Sequence, residues 1–175
     1  MKKLIYRRIV AFAIDYLVII GYALLLFGFT KILNLRDFAF SPISGQLIGF
    51  ASLTLPVFLY FFLMERGVSR ATLGKRIMNI SIELPSDNSK SKIFLRNVLK
   101  FLPWEIAHTG VHWIVYCSNS GNEVPIWVYL LLILPQIIML VYFISMMITR
   151  GASSIYDNLA DTRIKLTQDA EGTKA

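Results

Sequence analysis

Three groups of polar residues in this chain have the types and spacing to do chemistry. The first is Arg8, Ala11 and Asp15, at i, i+3 and i+7, which share one face of any helix that holds them. Asp15 lies six residues inside an apolar run, 9–30, which is roughly 9 Å of helix. A carboxylate at that depth must be protonated, paired or hydrated. Arg8 is its natural partner. Asp15 then reads either as an ion- or proton-binding carboxylate or as half of a structural ion pair. The second group is Glu105, His108 and His112, whose spacing of three and four stacks them on one helix face. Glu-x-x-His occurs in carboxylate-bridged metal sites, but those take further carboxylates from other helices, and here only Asp15 is available. The His-Glu-x-x-His pattern of zinc proteases is absent. Proton relay and interhelical hydrogen bonding remain, since His titrates near neutral pH and carboxylate–His chains occur in pumps. The third group is Thr72, Gly74, Lys75 and Arg76, with Asp157 far along the chain. Gly74-Lys75 is no P-loop, because Ser69 stands where its first glycine belongs and Arg76 where Ser or Thr does. That segment reads as a tight turn at a membrane surface. Asp157 reads as the cap of a short helix at 158–160, as a partner for Lys75 or Arg76, or, with Arg8 and Asp15, as a direct ion or proton ligand.

The elements that must position these residues are apolar. The chain of 175 residues is 55% hydrophobic and 17% charged, against about 45–50% and 25% for a soluble domain. Runs at 9–30, 46–64 and 124–149 are long enough to cross a hydrocarbon core of about 30 Å as helices. The stretch 101–118, which carries Glu105, His108 and His112, is a fourth candidate. Trp113 and Tyr116 before the polar tract 118–123, and Trp127 and Tyr129 after it, mark a hairpin at one membrane surface. Pro56 and Pro135 fall inside helices and should kink them. Gly45-x-x-x-Gly49 allows close helix approach or dimerisation.

Charge sets the orientation. With four crossings, sixteen of the 18 Lys and Arg residues lie on one side of the membrane and two on the other. With three crossings the split is twelve against six. The positive-inside rule favours four helices with both termini in the cytoplasm. The net charge of +7 is then a topology signal, with no nucleic-acid partner implied. The start of the chain is a poor signal peptide, its apolar run being long and containing Asp15. Lone Cys117 falls at the outer surface and forms no internal disulfide.

On the cytoplasmic side, 76–84 alternates polar and apolar residues and reads as a strand ended by a turn at 85–88. The piece 162–166 alternates likewise, and the two are expected to pair as a small ribbon. Residues 90–102 carry Lys92, Arg96 and Lys100 at i, i+4 and i+8, the pattern of a basic amphipathic helix lying in the interface. Pro103 would then open the next helix. The expected architecture is an all-α membrane protein: a four-helix transmembrane bundle with cytoplasmic termini, a cytoplasmic β ribbon and an interfacial helix. It forms one domain over 1–166, with a frayed polar tail, 167–175.

Taken in order, Arg8-x-x-Ala11-x-x-x-Asp15, then Ala71-Thr72-Leu73-Gly74-Lys75-Arg76, then Tyr156-Asp157-Asn158-Leu159-Ala160-Asp161-Thr162 resemble the RDD family of membrane proteins. The resemblance runs from Arg8 to about Leu166 and makes Arg8, Asp15 and Asp157 the family's arginine and two aspartates. Asp161 departs from it, since relatives commonly have glycine there. The resemblance implies a bacterial or archaeal inner-membrane, multi-pass protein of transport type, some members being tied to sodium/proton antiport.

Two functions from different classes follow as expectations. In the first the chain moves a cation or small solute coupled to protons, with Asp15 as the binding carboxylate, Arg8 tuning it and Glu105 with His108 relaying protons. Four helices are few to enclose a path, so a homo-oligomer in the lipid bilayer is expected. In the second the chain is a non-transporting assembly, immunity or interaction module. No nucleophile–base pair or full metal set emerges, so no enzyme activity, cofactor or metal is expected.

Overall fold

A long apolar run in lipid must satisfy its backbone within itself, which selects helices. The computed structural model describes residues 2–32, 41–85 and 89–167. In chain order its elements are α1 (Lys2–Ile32), α2 (Pro42–Gly49), a π-helical turn (Phe50–Thr54), α3 (Leu55–Arg66), α4 (Leu73–Ile77), β1 (Ile80–Glu83), α5 (Ser89–Asn119), α6 (Ile126–Ile148), α7 (Ile155–Leu159) and β2 (Arg163–Leu166). Three helical segments among the described residues are long and apolar enough to cross a membrane: Leu4–Ile32, Pro42–Arg66 and Ile126–Ile148.

α5 differs from the expected layout. Instead of an interfacial helix over 90–102 followed by a new helix opened by Pro103, one helix of 31 residues runs through with Pro103 inside it. A proline there removes the N–H that would serve the carbonyl four residues back, that of Leu99. The Tyr142 hydroxyl of α6 donates to that carbonyl at 3.2 Å. Pro56 repeats the arrangement. Its absent N–H would serve Ser52 in an α-helix, and the Tyr22 hydroxyl of α1 donates to the Ser52 carbonyl at 2.5 Å. The helix widens into the π turn directly before Pro56, with the Leu55 N–H reaching the Phe50 carbonyl. In both places a tyrosine from a neighbouring helix replaces the donor that proline lacks.

The basic stripe of α5 does not lie on a lipid surface. Arg96 is buried, Lys92 bonds Asp161, and Lys100 is half-buried with its Nζ 3.4 Å from the centre of the Phe61 ring. Phe94, Leu95 and Leu102 face outward instead. Acidic partners on α3 and α7 draw the cations inward.

The two strands pair antiparallel, Ile80 opposite Leu166 and Ile82 opposite Ile164. Ile80, Ile82 and Ile164 pack on Ala11 of α1, so the alternation buries one face against that helix. The strand is shorter than the expected 76–84, because Leu73–Ile77 forms α4, and Asn79 links the two with a left-handed φ of 53°. Asp161 also has a left-handed φ, 50°. A glycine fits there without strain, and aspartate is among the residues that tolerate it best. Gly45 and Gly49 are used inside the chain: a Cβ on either would lie 2.8 Å from the rings of His112 and His108, respectively. Cys117 is buried. The turn expected at 85–88 and the tail beyond Thr167 lie outside the described residues.

Candidate functional site

The face formed by Arg8, Ala11 and Asp15 meets three different partners. Ala11 packs against Gly74 so tightly that a Cβ on the glycine would sit 2.1 Å from the Ala11 carbonyl oxygen. That approach brings the start of α4 to Asp15. The Asp15 carboxylate accepts the Gly74 N–H at 2.9 Å and the Tyr60 hydroxyl at 2.8 Å on Oδ1, and the Thr72 hydroxyl at 2.6 Å on Oδ2. It is buried, and all three donors are neutral. The expected Arg8–Asp15 pair does not form; Asp15 is held by these three hydrogen bonds instead. Thr72 and Gly74 are thus the socket for Asp15.

Arg8 turns to the other end of the sequence. It bonds Asp157, the Tyr156 hydroxyl at 2.9 Å and the Gly151 carbonyl at 3.1 Å. Asp157 lies inside α7 rather than before it, and its Oδ2 also accepts the Ser154 N–H at 2.9 Å, closing the first turn of that helix. Its Oδ1 accepts Arg96 Nε at 2.7 Å. Arg96 continues to Glu65 through Nη1 at 2.6 Å, and Glu65 also accepts Asn97 at 2.9 Å and bonds Lys75. Arg8, Asp157, Arg96, Glu65 and Lys75 form one buried chain linking α1, α7, α5, α3 and α4. Lys75 therefore pairs with Glu65 and not with Asp157, while Arg76 is exposed and donates to the Ala71 carbonyl.

Lys100 stands beside this chain, so four cations face two carboxylates. Burial lowers the Lys75 ammonium to about 8, with Arg96 acting the same way against the pull of Glu65. Burial likewise brings Lys100 down to about 7, even with Glu65 near. For Asp157, burial alone would raise the pKa; Arg96 and Arg8 outweigh it and hold it below the ordinary value. Burial also opposes the Arg96 charge, yet Glu65 and Asp157 keep its pKa raised.

The second site lies in the middle of a span. Thr54 is the thirteenth residue of the 25-residue segment Pro42–Arg66, about 18 Å from either end. Its hydroxyl donates to Glu105 Oε1, Gln46 Nε2 donates to Glu105 Oε2 at 2.9 Å, and Trp104 donates to Thr54 at 3.2 Å. Among the described residues Glu105 has no cationic partner. His108 follows on α5, its ring between those of Trp104 and His112 at 5.7 and 4.7 Å. Gln46 Oε1, His108 Nδ1 and His112 Nε2 are buried without hydrogen-bond partners. Buried polar atoms in that state are rare and invite a functional account. No group of three or more His, Cys, Asp or Glu side chains among the described residues is arranged to hold a metal ion.

The sequence pattern places Glu105, His108 and His112 on one face, and they do share it. It separates Arg8, Asp15 and Asp157 differently from the structure, which divides them between two sites. Glu65, Tyr60, Gln46 and Thr54 are not singled out by sequence, and Arg96 is named there only as part of a basic interfacial stripe. The usable signals are an acid at the very end of an apolar run for Glu65 and a cation at i+4 between two others for Arg96. The RDD family model matches residues 4–161. No curated protein and no solved structure matches the chain.

Proposed function

The chain belongs to the RDD family, and we propose that it is a small multi-pass inner-membrane protein that moves protons, coupled to a cation or small solute, along the Glu105–His108–His112 stripe. In this reading α5 is the fourth crossing, both termini are cytoplasmic, and the protein works as a homo-oligomer. Arg8, Asp15 and Asp157 hold the cytoplasmic end together and do not carry the proton. The observation that carries the reading is Glu105: a carboxylate at mid-span bonded, among the described residues, by Thr54 and Gln46, beside two imidazoles with unused nitrogens. Ionisable residues at that depth mark pathways and relays. Glu105 would take up a proton and lose it to His108, whose ring lies 4.7 Å from that of His112 and so extends the path toward the α5–α6 turn.

A second reading, a non-transporting interaction module, is favoured by a separate observation. Arg8, Asp15 and Asp157 are each engaged in bonds within the chain, and both Asp15 oxygens accept a hydrogen bond. The test is cation-dependent proton flux in proteoliposomes, comparing the parent with Glu105→Gln at matched incorporation. Flux in the parent and its loss in Glu105→Gln would support transport. A folded parent inert to several cations would support the module reading.

A further inference from the structure

Where α3 and α5 run antiparallel, they leave an aromatic groove open to the surroundings. Phe58 and Phe62, one turn apart on α3, stack at 6.0 Å. Phe94 of α5 meets both edge-on, at 5.8 and 5.7 Å, and is itself 50% exposed. One turn beyond Phe62 stands Arg66, its guanidinium 5.5 Å from the Phe62 ring centre. One turn before Phe94 stands Lys90. Because the helices are antiparallel, these two cations cap the same end of the groove. Both are exposed, and neither pairs with an acid among the described residues. Lys92 and Lys165, at the same end of the molecule, both have carboxylate partners.

We propose that this groove binds an anionic phospholipid, its phosphate between Arg66 and Lys90 and an acyl chain along Phe58, Phe62 and Phe94. Two unpaired cations one turn above an apolar aromatic surface match a headgroup phosphate above its chain. Guanidinium suits phosphate oxygens because it offers paired donors in one plane. A phosphatidylcholine headgroup carries its own cation, which offsets the attraction of its phosphate, whereas phosphatidylglycerol carries a net negative charge. Basic residues at headgroup level favour anionic lipid, and two of them favour it by roughly 30-fold. The proposal is independent of the transport reading, since it requires only that this end of α3 and α5 lie at a membrane surface.

The test is native mass spectrometry of the detergent-purified chain titrated with dioleoylphosphatidylglycerol or dioleoylphosphatidylcholine. The parent should bind phosphatidylglycerol roughly 30-fold more tightly. The pair Arg66→Gln with Lys90→Gln should bring the two lipids within about threefold. The pair Arg70→Gln with Arg163→Gln removes the same charge from other exposed positions and should leave the preference intact. Phe94→Ala, which changes no charge, should weaken both lipids alike by about threefold or more through lost chain contact. Equal binding of the two lipids by the parent would overturn the proposal. So would a loss of preference in the control pair as large as in Arg66→Gln with Lys90→Gln. Inorganic phosphate at millimolar concentration should leave lipid binding unchanged; displacement of the lipid by phosphate would assign the cations to a free anion and overturn the lipid site.

Discussion

Replacing Asp157 with Asn tests whether the buried ion chain holds the fold. Asn keeps the size of the side chain and can still accept the Ser154 N–H, so the first turn of α7 has its cap. What it removes is the anion between Arg8 and Arg96. Arg8 then retains only the neutral Tyr156 hydroxyl and Gly151 carbonyl, and Arg96 retains Glu65. Breaking a buried pair from one side costs about 3–5 kcal/mol, because the remaining charge stays desolvated. Two cations are affected here, but each keeps other partners, which places the expected loss within that range. The measurement is reversible unfolding by SDS in mixed micelles, followed by circular dichroism. Lys165→Gln is the control: its partner is Glu83, both side chains are about half exposed, and the distance is 3.4 Å. An exposed pair of that kind is worth about 0–1 kcal/mol. A cost for Asp157→Asn below about 1 kcal/mol, level with the control, would refute the idea that the chain of charges is structural.

Gly74→Ala should lower stability by more than about 3 kcal/mol, because its Cβ would meet the Ala11 backbone rather than a movable side chain. Gly28→Ala, in open space on α1, should be neutral or slightly stabilising in the same unfolding assay. Tyr22→Phe should cost about 1–2 kcal/mol by leaving the Ser52 carbonyl unpaired. In a Pro56→Ala background a backbone N–H can serve that carbonyl, so Tyr22→Phe should cost about 1 kcal/mol less; strict additivity would sink the account. Titration should also show in stability. Lys75 loses its proton near 8 in the folded chain but near 10.5 when unfolded, so the unfolded state binds more protons between those values. Stability from Lys75 therefore rises with pH across that window, and Lys75→Gln should flatten the slope. At the acid end, the lowered pKa of Asp157 gives stability that is present above about pH 4 and lost as pH falls through its folded value. Asp157→Asn should remove that part of the acid loss.

The membrane spans were readable because lipid imposes a long apolar run, and such a run admits few alternatives. The ribbon was readable for a related reason: Ile80, Ile82 and Ile164 alternate with polar neighbours because one face packs on α1. Pro103 misled because its local preference for a helix start is outweighed by Tyr142, a donor 39 residues away in the sequence. The amphipathic pattern of 90–102 was real, but periodicity gives a face without its direction. Only the acids of α3 and α7 decide that the basic face turns inward. The partner of Asp15 was hidden because two of its donors, Tyr60 and Thr72, are neutral side chains and the third is a backbone N–H. No charge pattern reports such a socket.

That division bears on how signature residues are read. The Asp15 carboxylate, buried and held by three hydrogen bonds from Tyr60, Thr72 and Gly74, is fixed in place by its own chain. Glu105 is different in kind. Thr54, the last residue of the π turn, and Gln46 each give its carboxylate one hydrogen bond. Removing the Glu105 carboxylate would take away both bonds at once, leaving Gly45 and Gly49 packed on the imidazole rings between α2 and α5. The end that holds the ion chain, by contrast, is fastened through Glu65, Arg96 and Asp157 independently of Glu105. One end of the chain is thus tied together by residues of the motif that identifies its family, while the Glu105 group lies apart from it on α5.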